Sequence, residues 1–238
     1  MTAARPTLDR ATTPAPTRTP TRTPRPTSGG TDRPPRRTRP LLDQVRDLVG
    51  DCLGLTVTGT VGGVAVTLVA TDEQAALLDA LQHLEGGPCR RVDRGEVVSA
   101  GSRDLVSRRW RHLAEEVSQL GVRSALALPL RDGCRVVGAV TVYAASESTP
   151  DHDALLALVQ PWVETARDQA AGTLDERRSR AAAPRSLRAD GLVHRAAGVL
   201  AVRVAVDPAA ARERLEDAAL HAGLRPERLA QVLLALHP

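Results

Sequence analysis

Cys89 is the side chain in this sequence best placed for chemistry. It follows Gly87-Pro88 and precedes Arg90-Arg91. Adjoining guanidinium charge favours the thiolate, the form of cysteine that reacts or ligates. A redox or ligand-binding role is open to it, as is the plainer role of a small core residue, which free cysteine fills more often. Cys52 and Cys134 lie far from it, and no metal-ligand spacing joins the three thiols to one another or to the six histidines. His83 and His112 each stand alone on a helical segment in a polar setting and read as solvated side chains rather than haem ligands. There is no Gly-rich phosphate loop, no Gly-x-Ser-x-Gly elbow, no His-Glu-x-x-His and no paired-carboxylate motif. The expectation is a chain that is not an enzyme, with no catalytic residue, no bound metal and no fixed cofactor.

Charge is unevenly distributed. Residues 1–40 carry nine Arg against Asp9 and Asp32, a balance of +7, so the remainder of a chain of net charge +4 is at 4 − 7 = −3. Lys, Ile, Asn and Phe are absent, which fits a GC-rich coding sequence and makes abundant Arg weak evidence for a nucleic-acid partner by itself. The first forty residues repeat Thr-Pro and Arg-Pro units with almost no apolar side chains, so they cannot offset the entropy of ordering. They are expected to be a disordered, extended tail. Neither a signal-peptide core nor a membrane-length apolar run occurs, and the thiols are expected to be reduced. A soluble, cytoplasmic protein without a membrane partner is the corresponding expectation.

Residues 41–172 read as an α+β domain. Leu41 to Leu53 is an amphipathic helix with Leu42, Val45, Leu48, Val49 and Cys52 on one side. Residues 55–60 and 64–70 are Val/Thr-rich strands around a Gly62-Gly63 turn. A helix from Glu73 to His83, a short strand at 96–99 and a helix over 103–119 carrying Trp110 as core filler come next. Ser124 to Leu130 and Arg135 to Ala144 form a hairpin through Asp132-Gly133, and Asp151 to Ala171 is a long amphipathic helix. Runs of strands flanked by helices predict an antiparallel sheet with helices on it, not a regular α/β alternation. Residues 173–186 continue the helical phase as a connector, with Pro184 as its break.

Residues 187–238 read as three short helices. Val193, Ala196, Leu200 and Val204 form the first apolar stripe. Asp207-Pro208 caps and opens the second helix, which carries Ala211, Leu215, Ala218 and Ala222 and stops at Gly223. Pro226 starts the third, with Leu229, Val232, Leu233 and Leu236. Each is too short to stand alone, so they must pack on one another or on a partner. Seven Arg face six carboxylates in this stretch, so any phosphate-binding surface must come from the arrangement of charges and not from their sum.

Two family resemblances follow from these strings. Gly87-Pro88-Cys89, Arg109-Trp110, the run Gly121 to Leu130 and the run Val137 to Tyr143 resemble a GAF domain. That resemblance implies a sensory module able to enclose a small ligand of unknown identity, with Cys89 as the ligand or redox candidate. The run Val193 to Leu200, then Ala210 to Leu215, Ala218, Gly223 and Leu229-Ala230, resembles an ANTAR domain. This implies a three-helix RNA-binding module of a transcription antiterminator that dimerises and binds stem-loops in nascent RNA. On this likeness the candidate RNA contacts are Arg188, Arg195, Arg203, Arg225 and Arg228, with Ala196 and Gly198 allowing close approach. Near absence of aromatics argues against readers that stack bases on a sheet. A competing reading makes the helices a dimerisation or protein-interaction module without RNA binding. It draws on Ala197, where many ANTAR members carry lysine, and on the near-neutral charge. A third makes the chain a small-ligand sensor.

Overall fold

Apolar alternation builds the central sheet. In β5 (Arg135–Ala144), Val140, Val142 and Ala144 face one side while Ala139 and Tyr143 face the other; in β4 (Ser124–Asp132), Leu126, Leu128 and Leu130 alternate with Ala125 and Ala127. With β1 (Cys52–Val61), β2 (Val64–Ala70) and β3 (Val98–Ala100) they form a five-stranded antiparallel sheet of order β2-β1-β5-β4-β3. The computed structural model describes residues 39–101, 104, 110–147 and 150–237, with the backbone alone at 39, 40, 89, 90, 93, 111 and 112. All of these fall in one compact unit, Asp32–Pro238. The expected disordered tail spans 1–40; residues 1–38 lie outside the described residues, while Arg39 and Pro40 already belong to the first helix.

The large aliphatic face of the sheet packs against α1 (Arg39–Leu48) and the first half of α4 (His152–Ala182), through Leu41, Val45, Leu155, Val159 and Val163. The small-residue face leaves room for bulkier neighbours. Tyr143, Trp110 and Leu113 fill it beneath α2 (Glu73–Glu85), a short 3₁₀ helix (Pro88–Arg94) and α3 (Arg111–Gln119). Tyr143 is fixed there by a 2.6 Å bond from the Gln82 amide to its hydroxyl oxygen.

The expected α+β class and helix flanks are observed. Gly62 and Gly63 both take positive φ at the β1–β2 turn, as the hairpin reading requires. Some expectations shift: the strand expected at 96–99 is β3 at Val98–Ala100, Trp110 stands at the N-cap of α3 and not within it, and Cys52 is not on α1. The helix ends at Leu48, Gly50 turns the chain, and Cys52 opens β1 opposite Ala144. The long helix is also continuous through most of the connector, ending at Ala182.

Gly138 of β5 sits directly against the β1 backbone at Thr58 and Gly59. A Cβ there would run into the Thr58 carbonyl oxygen, a backbone atom that cannot swing aside. Gly138→Ala is expected to destabilise the chain by about 1–3 kcal/mol through overpacking, read as a lower urea midpoint at unchanged m.

The C-terminal helices are α5 (Leu187–Val204), α6 (Pro208–Ala222) and α7 (Pro226–Leu236). Asp207 caps α6 by accepting from the amides of Ala209 and Ala210 at 3.0 and 2.9 Å, and Gly223 closes it in the left-handed conformation. Ser186 caps α5. Leu200, Leu215, Leu229 and Leu233 form the shared core of the three. This core is continuous with the α2 side of the sheet domain, so the helices satisfy their apolar faces both among themselves and on the sheet domain.

Candidate functional site

The sequence of α2, with apolar residues nearly all round, accounts for where the helices dock. Residues 75 to 82 and Leu84 are all buried, and a helix with no solvent face needs partners on two sides. The sheet supplies one and α6 the other. Within this apolar stretch stands Asp79, fully buried. Its carboxylate accepts from Thr67 Oγ1 at 2.6 Å and Thr56 Oγ1 at 3.4 Å, and meets His221 Nε2 of α6 at 3.0 Å. His221 Nδ1 lies 2.9 Å from the Ala65 carbonyl oxygen, and His83 of α2 stacks on the ring at 4.1 Å.

β2 is an edge strand of the sheet, and unpaired edge groups invite wrong pairing. Here two of its carbonyls are covered. Ala65 O accepts from His221, and Thr67 O accepts from Arg177 Nη2 at 2.8 Å, while the same guanidinium reaches His221 O at 2.8 Å. Arg177 comes from the last turns of α4 and thus ties connector, sheet edge and α6 together.

A second ionic seam joins the other end of α2 to the helical module. Arg203 of α5 reaches Glu85 at 3.1 Å and Glu116 of α3 at 2.9 Å, and His237 Nε2 lies 3.0 Å from Glu116 Oε1. Glu116 is completely buried and Arg203 is only 12% exposed. Burial first, then the neighbouring Glu85 carboxylate, push Glu116 up to about 8 against the pull of Arg203. Arg228 of α7 pairs with Glu73 in the first turn of α2.

Burial opposes charge on both Asp79 and His221. It is overridden at Asp79 by the His221 bond and charge and by Thr67, which hold the carboxyl below its usual range. At His221 the Asp79 bond and charge and the Ala65 carbonyl hold the imidazole above its usual value, against burial and the Arg177 charge.

The five candidate arginines do not converge on one surface. Arg188 and Arg195 are exposed on the outer side of α5 together with Gly198, where a Cβ would meet nothing within 4 Å. Arg225 is exposed with Glu227 at 3.5 Å. Arg203 and Arg228 point the other way, into ion pairs with the sheet domain, and Ala196 is in the module core. Gly191 shares the outer face of α5, as do Leu187 and Val202, which are 94% and 84% exposed.

Cys89 occupies the first turn of the 3₁₀ helix, with Gly87 before it as cap; its side chain lies outside the described residues, as does that of His112. Arg91 is engaged with Glu96 at 2.9 Å. Cys52 is buried, and burial pushes its thiol up to about 11, which leaves it unreactive. Cys134 is exposed in the β4–β5 turn. A small cleft between β2 and α4, lined by Val66, Leu68, Ala166 and Leu174, has a volume of about 20 Å³, enough for a water. Among the described residues, no group of three or more His, Cys, Asp or Glu side chains could hold a metal ion, and no helix is long and apolar enough to cross a membrane.

Sequence reasoning passed over Asp79, Glu116, Arg177 and His221, the groups that join the two parts. The legible signal was Asp79 itself, a carboxylate in the middle of Leu77-Leu78-Asp79-Ala80-Leu81.

Comparison with known proteins gives three findings. No curated protein matches the chain. A solved structure, the C-terminal domain of a presumed transcriptional regulator from Vibrio cholerae, is 18% identical and aligns over 56% of this chain and 91% of its own, with a TM-score of 0.20, too low to support any argument. The GAF domain family matches residues 36–171, more than half of the sequence and the whole of the sheet with α1 to α3 and most of α4. With the antiparallel sheet, its helical flanks and this match all falling on the same residues, the chain belongs to the GAF domain family.

Proposed function

We propose that the chain is a non-enzymatic regulator in which a GAF sensor, residues 41–172, acts through a connector at 173–186 on a C-terminal effector, residues 187–238, that binds stem-loops in nascent RNA in the manner of an ANTAR domain. One observation supports this reading above the others. The outer side of α5, away from the GAF domain, presents Arg188 and Arg195 around Gly191 and Gly198, so that guanidinium groups flank backbone a phosphate strand can approach. Arg225 adds a further exposed charge at the start of α7. In this reading Arg203 and Arg228 serve the contact with the sensor and not the RNA.

The test is fluorescence anisotropy of the full chain with an RNA carrying two neighbouring hairpins. Arg188→Ala with Arg195→Ala is expected to weaken binding about tenfold or more and to lower the salt slope by about one to two. Binding by the unaltered chain no tighter than to an unstructured RNA would overturn the reading.

A second reading has its own observation. Leu187 and Val202 lie on that same outer face, which suits a protein partner or a second copy of the chain. Sedimentation of Leu187→Asp with Val202→Asp separates the two: a lost dimer with RNA binding retained assigns this face to association.

A further inference from the structure

We propose that seating of the helical module on the GAF domain is proton-coupled: the module docks with a proton held between His221 of α6 and Asp79 of α2 and loosens as pH rises. This goes beyond RNA recognition and holds whatever α5 binds.

The proton follows from geometry. His221 Nδ1 faces the Ala65 carbonyl, which can only accept, so Nδ1 must carry hydrogen. Nε2 faces Asp79 Oδ2, which already takes a bond from Thr67. A neutral ring protonated at Nδ1 would set a bare nitrogen lone pair against a carboxylate 3.0 Å away. A second proton between Nε2 and Oδ2 is therefore part of the docked state. The groups facing the imidazole are Asp79 and His83 from α2 and Arg177 from α4. When the ring loses its second proton, Asp79 becomes a buried carboxylate with hydroxyl donors but no countercharge on α6, and the α2–α6 contact weakens.

The seam also guards the β2 edge, since Ala65 O loses its donor once α6 moves away, while Thr67 O keeps Arg177 of α4.

Amide hydrogen exchange of the full chain, read by mass spectrometry between about pH 6 and about pH 9 and corrected for intrinsic exchange, tests this. Protection of segments 64–70 and 208–222 should fall together, by up to about tenfold per pH unit for the proton released, while 124–144 keeps its protection. His221→Gln should flatten that dependence, and Asp79→Asn, which removes the carboxylate that holds the proton, should flatten it as well, so either variant that folds carries the test. A pH-independent protection of the two segments overturns the proposal. So does loss of protection in 124–144 in step with them, or a folded His221→Gln or Asp79→Asn chain with the full pH dependence of the parent.

Discussion

Asp79→Ala is expected to destabilise the chain by about 3–5 kcal/mol, the cost of breaking a buried pair by removing one partner. The truncation strands an imidazolium that also lies beneath Arg177 and beside His83, and leaves the hydroxyls of Thr56 and Thr67 without their acceptor. Urea unfolding near pH 6 measures it. Replacing both partners, Asp79→Leu with His221→Leu, removes the charge along with its countercharge. The double variant should therefore lose less than the sum of the single losses, with a coupling of about 1–3 kcal/mol. Additive losses would mean that the two side chains do not act as a pair.

The same pair sets a pH window. His221 is held above the ordinary imidazole value, so its contribution is complete below that value and is lost as pH rises through the folded one. Asp79 is held below the ordinary carboxyl value, so its contribution is complete above that value and is lost as pH falls through the folded one. Stability from the pair is thus greatest between about pH 4 and about pH 6.5, and it declines on the alkaline side first under physiological conditions.

What could be read from the residues depended on how local the cause was. The cap at Asp207, the stop at Gly223 and the Gly62-Gly63 turn are set by three or four neighbouring residues, and all stand where the spacing put them. The sheet order was not spelled out, but the strands and their hairpin were, because period-two alternation in β4 and β5 survives burial on both faces. The orientation of Arg203 and Arg228 was another matter. Both sit on helix faces that look solvated in isolation, and only docking against Glu85, Glu116 and Glu73 turns them inward. That docking is a property of two surfaces roughly a hundred residues apart in the chain, which no local pattern encodes. Asp79 was the exception, since a carboxylate on the apolar phase of α2 demanded a partner from somewhere.

Arg203→Met should separate a structural arginine from an exposed one on the same helix. Near neutral pH it is expected to cost about 3–5 kcal/mol, because Glu85 loses its countercharge inside a buried seam. Arg195→Ala, on the outer face of α5, should change stability by no more than about 0.5 kcal/mol. Glu116 supplies the pH signature. Its folded value of about 8 lies above the ordinary 4.5, so the folded chain holds a proton that the unfolded chain releases, and stability falls as pH rises between those values. Without Arg203 the two carboxylates lose the guanidinium they share, and the proton is held more tightly still. The penalty of Arg203→Met should therefore grow toward alkaline pH, as Glu116 ionises beside Glu85. Denaturant unfolding at three pH values reads the trend, and equal effects of Arg203→Met and Arg195→Ala would place Arg203 back among the solvated residues.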